Sequence, residues 1–402
     1  MTALPSDQDH TGRSFGDEEL GYLRSVIESG TLFAPKGTFV KELESSFAES
    51  IGVAAAVATS SGTAAIHTAV AALDLEPGDE VITTSVTDIG ALTPLLYQGL
   101  IPVFADVDPE TGNVDARTIA NRLSPRTKAV IVTHLFGNPC DMEPIVALAR
   151  REGLILVEDC AQAFGATYAG MPVGSLGDIA CFSLQQGKHI TAGEGGLVAS
   201  SDSRLTEQCR LFVNKAWDYE HPSDHEFLAL NYRMTELQGA VALAQLSKLA
   251  DGVAVRRFNA AVLDSAVAGI PGLRVTGQAR LGDPSYWRYA VLVDHDVIPG
   301  GPRALADELR EMNVPSAPRY IQKPAFRCGL FKDQKTFGTS RWPFTLAAPE
   351  ALDYAESRFP GTFELLDRIL VLPWNERFTG DDVARLAAAL TSAVDKLTRS
   401  AA

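Results

Sequence analysis

Short apolar runs alternate with amphipathic stretches through the first half of the chain. Residues 54–59, 80–83, 101–105, 129–133, 154–158 and 178–184 are rich in Val, Ile, Leu and Ala and read as buried strands. Between them, residues 63–73, 90–98, 115–123 and 142–152 carry helical spacing. Strand, helix, strand repeated this often predicts an α/β fold with a mostly parallel sheet covered by helices. Ligands in such sheets collect at the carboxyl ends of the strands. Functional residues are therefore expected just after strands.

A helical pattern over residues 230–249 (Met234, Leu237, Val241, Gln245, Leu249) predicts the connection to a second unit. After Pro271 the pattern predicts a smaller α+β domain, with a strand at 286–294 and helices at 302–312 and 381–399. Residues 320–363, rich in Pro, Gly and aromatics, are expected to loop over the sheet or the site. The expected division is a large domain, 1–250, and a small one, 251–402, as the length of 402 residues suggests.

Composition narrows the function. Hydrophobic residues at 46% and charged residues at 21% are ordinary for a globular enzyme. The net charge of −15 comes from scattered carboxylates and argues against nucleic-acid or anionic-membrane partners. No apolar run reaches the roughly 18 residues of a membrane span, and residues 1–17 carry no signal-peptide pattern. The five cysteines, Cys140, Cys160, Cys181, Cys209 and Cys328, lack metal-type spacing and read as reduced residues of a cytoplasmic protein.

The run Phe182-Ser183-Leu184-Gln185-Gln186-Gly187-Lys188-His189-Ile190-Thr191-Ala192-Gly193-Glu194-Gly195-Gly196 places a lysine between an apolar strand and a glycine-rich turn. Desolvation there would lower its pKa and make the neutral amine a carbonyl nucleophile. A surface lysine before a glycine turn is the plainer alternative. Asp159 follows Leu154-Ile155-Leu156-Val157-Glu158, and a carboxylate at a buried strand end needs a cation or hydrogen-bond donors. It either caps the following turn or meets a cationic ligand, while alternation sends Glu158 to the other face. Gly165, just beyond, would permit close backbone approach. Thr59-Ser60-Ser61-Gly62-Thr63-Ala64-Ala65 lies between a strand and a helix. Its N–H groups suit a phosphate, or Ser60 or Ser61 simply caps the helix. Ser183 adds a hydroxyl suited to the same phosphate.

Together these residues resemble the sugar aminotransferases of the DegT/StrS-like family, fold-type-I enzymes that use pyridoxal 5'-phosphate (PLP). The resemblance spans nearly the whole chain. It rests on Ser29-Gly30-Thr31 with Glu44 and Phe47, on Ser61-Gly62-Thr63, and on Val157-Glu158-Asp159-Cys160-Ala161-Gln162-Ala163. The lysine run and Asn231-Tyr232-Arg233-Met234 with Gln245-Leu246 complete it. The resemblance implies that Lys188 is the Schiff-base lysine and proton shuttle, and that Asp159 pairs with the pyridine nitrogen. Gln162 would sit by the ring oxygen, with Gly62, Thr63 and Ser183 on the phosphate. Asn231 would reach the phosphate from a neighbouring subunit, which implies a homodimer with shared sites. The implied reaction is ping-pong transfer of an amino group from glutamate or glutamine to a keto sugar, in amino-sugar or antibiotic biosynthesis.

The chain departs from the family pattern in Ser85-Val86-Thr87-Asp88-Ile89. Asp88 stands where an aromatic ring usually covers the cofactor, so either Ile89 or another side chain covers it or Asp88 contacts the substrate. Gln185-Gln186-Gly187, and more weakly Tyr320-Ile321-Gln322-Lys323-Pro324, resemble a subgroup acting on eight-carbon and related unusual sugars. Arg233, Arg288 and Arg319 are candidates for the donor carboxylate, each equally suited to a structural ion pair. His189 suits a structural place better than proton transfer. A sugar dehydratase of the same family would carry histidine in place of Lys188, and a noncatalytic regulator would have lost Lys188 or Asp159. Both residues are present.

Overall fold

The computed structural model describes residues 3–219, 221 and 224–401; Met1 and Thr2 of the polar opening segment lie outside them, as does Ala402. Its centre is a seven-stranded sheet. The strands are β1 (Ala55–Thr59), β2 (Glu80–Thr84), β3 (Ile101–Ala105), β4 (Thr127–Thr133), β5 (Ile155–Asp159), β6 (Ile179–Ser183) and β7 (Gly196–Ser200). In space they run β1-β7-β6-β5-β4-β2-β3. Only β7 is antiparallel to its neighbours, β1 and β6, and every other pairing is parallel. Strands such as Ile101-Pro102-Val103-Phe104-Ala105 are buried along their whole length, as a sheet covered on both faces requires. Gly62–Ala72 and Ser203–Val213 pack in one core layer with β1 and β7. Met142–Glu152 packs in another with β3 and β4.

Helix 142–152 starts and ends where the sequence places it. The stretch 90–98 is instead a short 3-10 turn, Ile89–Ala91, followed by helix Thr93–Tyr97, because Pro94 can only open a helix. The pattern at 230–249 also needs correction. Asn231 and Arg233 are extended and bridge Asn214 and Thr59, and the helix begins only at Glu236, behind the Thr235 cap. Leu249–Val267 then continues as a separate helix after Lys248.

Glu236 has a second task. Its carboxylate accepts from the N–H groups of Thr38 and Phe39 at 2.9 Å and of Val40 at 3.1 Å, the opening donors of helix Phe39–Ile51. A Cβ on Gly37 would lie 2.0 Å from the Glu236 Cδ, so only glycine admits this approach. Glu236→Ala strands these donors and removes a charge from a helix start, and should cost about 2–3 kcal/mol of stability. Urea unfolding with an unchanged slope checks it.

A second sheet, of Leu273–Val275, Tyr289–Val293, Ala317–Pro318 and Ile369–Leu372, is antiparallel. It packs with helices Leu249–Val267, Gly301–Glu311 and Gly380–Ala401 around Leu263, Tyr289, Leu305, Trp374 and Leu386, and Leu4 joins this core. Residues 320–363 fold over β3 as short helical turns, with Phe326, Phe331, Phe344 and Phe359 packed against Phe104. No helix among the described residues is long and apolar enough to cross a membrane.

Candidate functional site

The carboxyl ends of the parallel strands open onto a cavity of about 610 Å³, a size suited to a small-molecule site. β1 leads into Ser61, Gly62 and Thr63, β2 into Thr87 and Asp88, β5 into Asp159 and Gln162, and β6 into Ser183, Gln185 and Lys188, all on its wall. Trp287, Tyr320 and Ile321 close it from the second unit.

Lys188 lies in the loop from β6 to β7, which folds back on itself. Leu184 N–H bonds Gly195 O at 2.8 Å, Gln186 N–H bonds Gly193 O at 2.9 Å, and Lys188 N–H bonds Gln185 O at 2.9 Å. Gly193 adopts φ +82°, a backbone that glycine takes without strain. The Gln185 side chain accepts from Gly187 N–H at 2.7 Å, and the Gln186 side chain donates to Asp7 O at 3.0 Å. The amine is half-buried beside the cavity, and burial lowers its pKa to about 8 against the attraction of Asp159 and Asp88. A useful fraction is thus neutral near pH 8.

Asp159 is buried at the end of β5, flanked by Thr133 of β4 and Cys181 of β6. Its carboxylate accepts from the Ala161 N–H at 3.1 Å and the Thr133 hydroxyl at 3.3 Å. Both donors are neutral, and burial pushes its pKa upward. Glu158 faces the other way. It accepts from the backbone of Gly174, Leu176 and Gly177 and bonds His134 at 3.0 Å, which satisfies it internally. Gln162 accepts from Phe136 N–H through Oε1 at 2.7 Å, so its amide nitrogen is the end left to donate. Gly165 admits Val253, 2.9 Å from where a Cβ would stand, rather than opening onto the cavity.

At the start of helix Gly62–Ala72, Ser61 Oγ accepts from Ala64 N–H at 3.0 Å, so Ser61 is the cap. A Cβ on Gly62 would stand 2.6 Å from Ser183 Cβ and 2.8 Å from its Oγ. Only glycine lets these segments meet at the cavity wall.

The cavity thus collects Gly62, Thr63, Asp159, Gln162, Ser183 and Lys188. Asn231 is exposed on the 231–235 segment and does not line it. None of the candidate arginines lines it either. Arg233 bonds Asn214 at 3.4 Å, Arg288 bonds Asp7 at 2.7 Å, and Arg319 pairs with Asp367 at 3.1 Å. His189 is buried against Ser285 O at 3.1 Å and burial drives its pKa well down, a structural place. Asp88 is exposed on the cavity wall, where it caps the next turn by accepting from Gly90 N–H at 2.7 Å.

Sequence reasoning missed Arg13 and Trp287. The buried Arg13 guanidinium donates to Lys188 O at 2.7 Å, to Gln186 O, and to Asp7 O at 2.8 Å. An arginine in a polar segment gives no local sign of partners 173 and 175 residues away. Trp287 Nε1 donates to Gly187 O at 2.6 Å. Its only signal was an aromatic at the start of a predicted strand.

A profile of the DegT/DnrJ/EryC1/StrS aminotransferase family matches residues 13–391. GDP-perosamine synthase of Caulobacter vibrioides is 39% identical over 293 residues, 72% of this chain and 78% of that protein. EpsN of Bacillus subtilis, named as a pyridoxal phosphate-dependent aminotransferase, is 30% identical over 330 residues, 80% and 84% of the two chains. The structure of DesI in the presence of its TDP-sugar product superposes with a TM-score of 0.84 at 28% identity, covering 99% of this chain and 95% of that one. With residues 13–391 matched and a fold-type-I architecture, the chain belongs to the DegT/DnrJ/EryC1/StrS family and is a PLP-dependent aminotransferase.

Proposed function

We propose that the enzyme transfers an amino group from glutamate or glutamine to a nucleotide-linked keto sugar, with the chemistry centred on Lys188. The observation that carries this reading is the half-buried Lys188 amine, its pKa lowered by burial, on the wall of the same cavity as a buried carboxylate whose two hydrogen-bond donors are neutral. That pair fits PLP. Lys188 is the amine that would hold it, and Asp159 lacks only a cationic partner such as a protonated pyridine. The N–H groups of Gly62 and Thr63 with the Ser183 hydroxyl suit its phosphate at a helix start, and the Gln162 amide suits its ring oxygen. Bound PLP supplies an electron sink for the pair left when a proton leaves the amino-bearing carbon.

The chain's own groups do the remainder. With the cofactor in place, the Lys188 amine would be the group that accepts that proton on Nζ and gives it up again, as general base and then acid. Asp159 would place its carboxylate beside a protonated ring nitrogen and hold that proton. Gln185 and the Arg13 guanidinium hold the backbone of the lysine loop. Relatives whose names carry GDP- and TDP-linked sugars support the sugar class. A homodimer that brings Asn231 to a neighbour's phosphate belongs to the same proposal, as does a cytoplasmic location. The test is purified enzyme assayed with a panel of nucleotide-linked keto sugars and each donor. Amination of none of them would reject the sugar reading.

Gly62→Ala should weaken PLP binding about tenfold or more, since the new Cβ collides with Ser183 at the phosphate corner. Titration of cofactor-free protein, followed by absorbance, measures it. Asp88→Ala separates cap from contact. Loss of the cap alone costs about 1 kcal/mol and leaves both half-reactions within about twofold. A raised KM for the sugar with an unchanged donor half-reaction identifies a substrate contact.

A further inference from the structure

The ring of Trp287 stands where the Lys188 side chain ends. Nζ lies 4.3 Å from its centroid. The indole is held on several sides and is only 5% exposed. Its Nε1–H donates to Gly187 O at 2.6 Å, its backbone N–H donates to Phe136 O at 2.9 Å, and Phe136 stacks on it at 6.5 Å and 18°. Tyr320 packs edge-on at 5.8 Å. A second cation, the Arg288 guanidinium, lies 4.6 Å from the same centroid.

An ammonium over an indole face is stabilised by the ring's quadrupole, most strongly where water is scarce. Burial and Arg288 work against the charge on Lys188, while Asp159, Asp88 and Asp7 favour it. Arg13 reaches only the backbone carbonyls of the loop. The indole therefore adds a directed attraction that favours the charge, where burial opposes it. It also fixes the loop itself, because the same ring bonds the carbonyl of the residue before the lysine.

We propose that Trp287 is a positioning residue whose indole face seats the Lys188 amine whenever that amine is bonded to neither cofactor nor substrate. The proton that Nζ gains on becoming an ammonium is then held against the cavity wall until it is returned, and no other atom is gained or lost. An aromatic from the second unit thus works at the lysine in a chain that lacks one at position 88. This assignment rests on the reading of Lys188 as the reactive amine.

The test uses the full chain freed of PLP, its lysines methylated with ¹³C-formaldehyde and titrated by NMR. The Lys188 signal is assigned by its loss in Lys188→Ala. Replacing the tryptophans by 5-fluoro- and then trifluorotryptophan weakens the quadrupole while keeping the shape and the N–H. The Lys188 pKa should then fall stepwise, and by about half to one unit in Trp287→Leu. The acid limb of the donor half-reaction in PLP-loaded enzyme should move the same way. A Lys188 pKa constant within about 0.2 unit across the fluorinated proteins overturns the assignment, and those proteins serve even where Trp287→Leu does not fold. If borohydride still fixes PLP in Lys188→Ala, the reading of Lys188 falls, and this assignment with it. If fixing is lost but the pKa ignores the ring, only the role of Trp287 falls.

Discussion

Lys188→Ala is expected to fold normally and to transaminate at less than about 10⁻⁴ of the native rate. The substitution removes one amine from the cavity and one contact with Trp287, while the loop keeps its backbone bonds from Gln185, Gly193 and Gly195. Circular dichroism should therefore be unchanged. PLP can still bind through its phosphate and ring, but borohydride should no longer attach it to a lysine, which peptide mass spectrometry reads directly. The loss exceeds that for an ordinary acid–base residue because Lys188 is assigned both the covalent bond and the proton. Turnover near the native level would remove the basis of the proposed site.

Asp159→Asn should lower kcat by about 10²-fold or more, a rise of roughly 2.7 kcal/mol in the barrier. The amide keeps the shape: its oxygen can still accept from the Ala161 N–H, and its NH2 can donate to the Thr133 hydroxyl, which turns from donor to acceptor, so packing is conserved and the charge is lost. Without it a pyridine nitrogen bound there would lose the partner of its proton, and bound PLP would be a poorer electron sink. The donor half-reaction, followed in a single turnover, isolates this step from sugar binding. A change of only a few fold would mean that another group pairs with the ring.

The parallel strands were legible because each is a short, largely apolar and largely buried block, and period and length suffice for such elements. β7 was not, since Gly196-Leu197-Val198-Ala199-Ser200 follows a glycine turn and its identity as a strand depends on β1 and β6 beside it. The stretch from Asn231 to Met234 read as helix because Met234 fits the spacing, yet bridges to Asn214 and Thr59 hold it extended. The residues that gather at the cavity are those whose neighbours along the chain already marked them, such as Asp159 at a strand end and Gly62 before a helix. Arg13 and Trp287 act through carbonyls far away in sequence. No local pattern encodes such a partner. The candidate arginines lie off the cavity wall, each with a partner in the fold, the structural alternative that the sequence left open.

The brace made by Arg13 ties the lysine loop to the core around the antiparallel sheet. Gly12 O, next to that arginine, accepts from the Asn375 side chain at 3.1 Å, and Leu4 packs among Leu370, Leu372 and Trp374. The segment that clasps the lysine loop is thus itself held by a residue 363 positions further along the chain. Contacts of such separation close late in folding. Pairing of the parallel strands alone therefore does not brace the lysine loop; the brace is complete only when the core around Leu4 and Trp374 has closed.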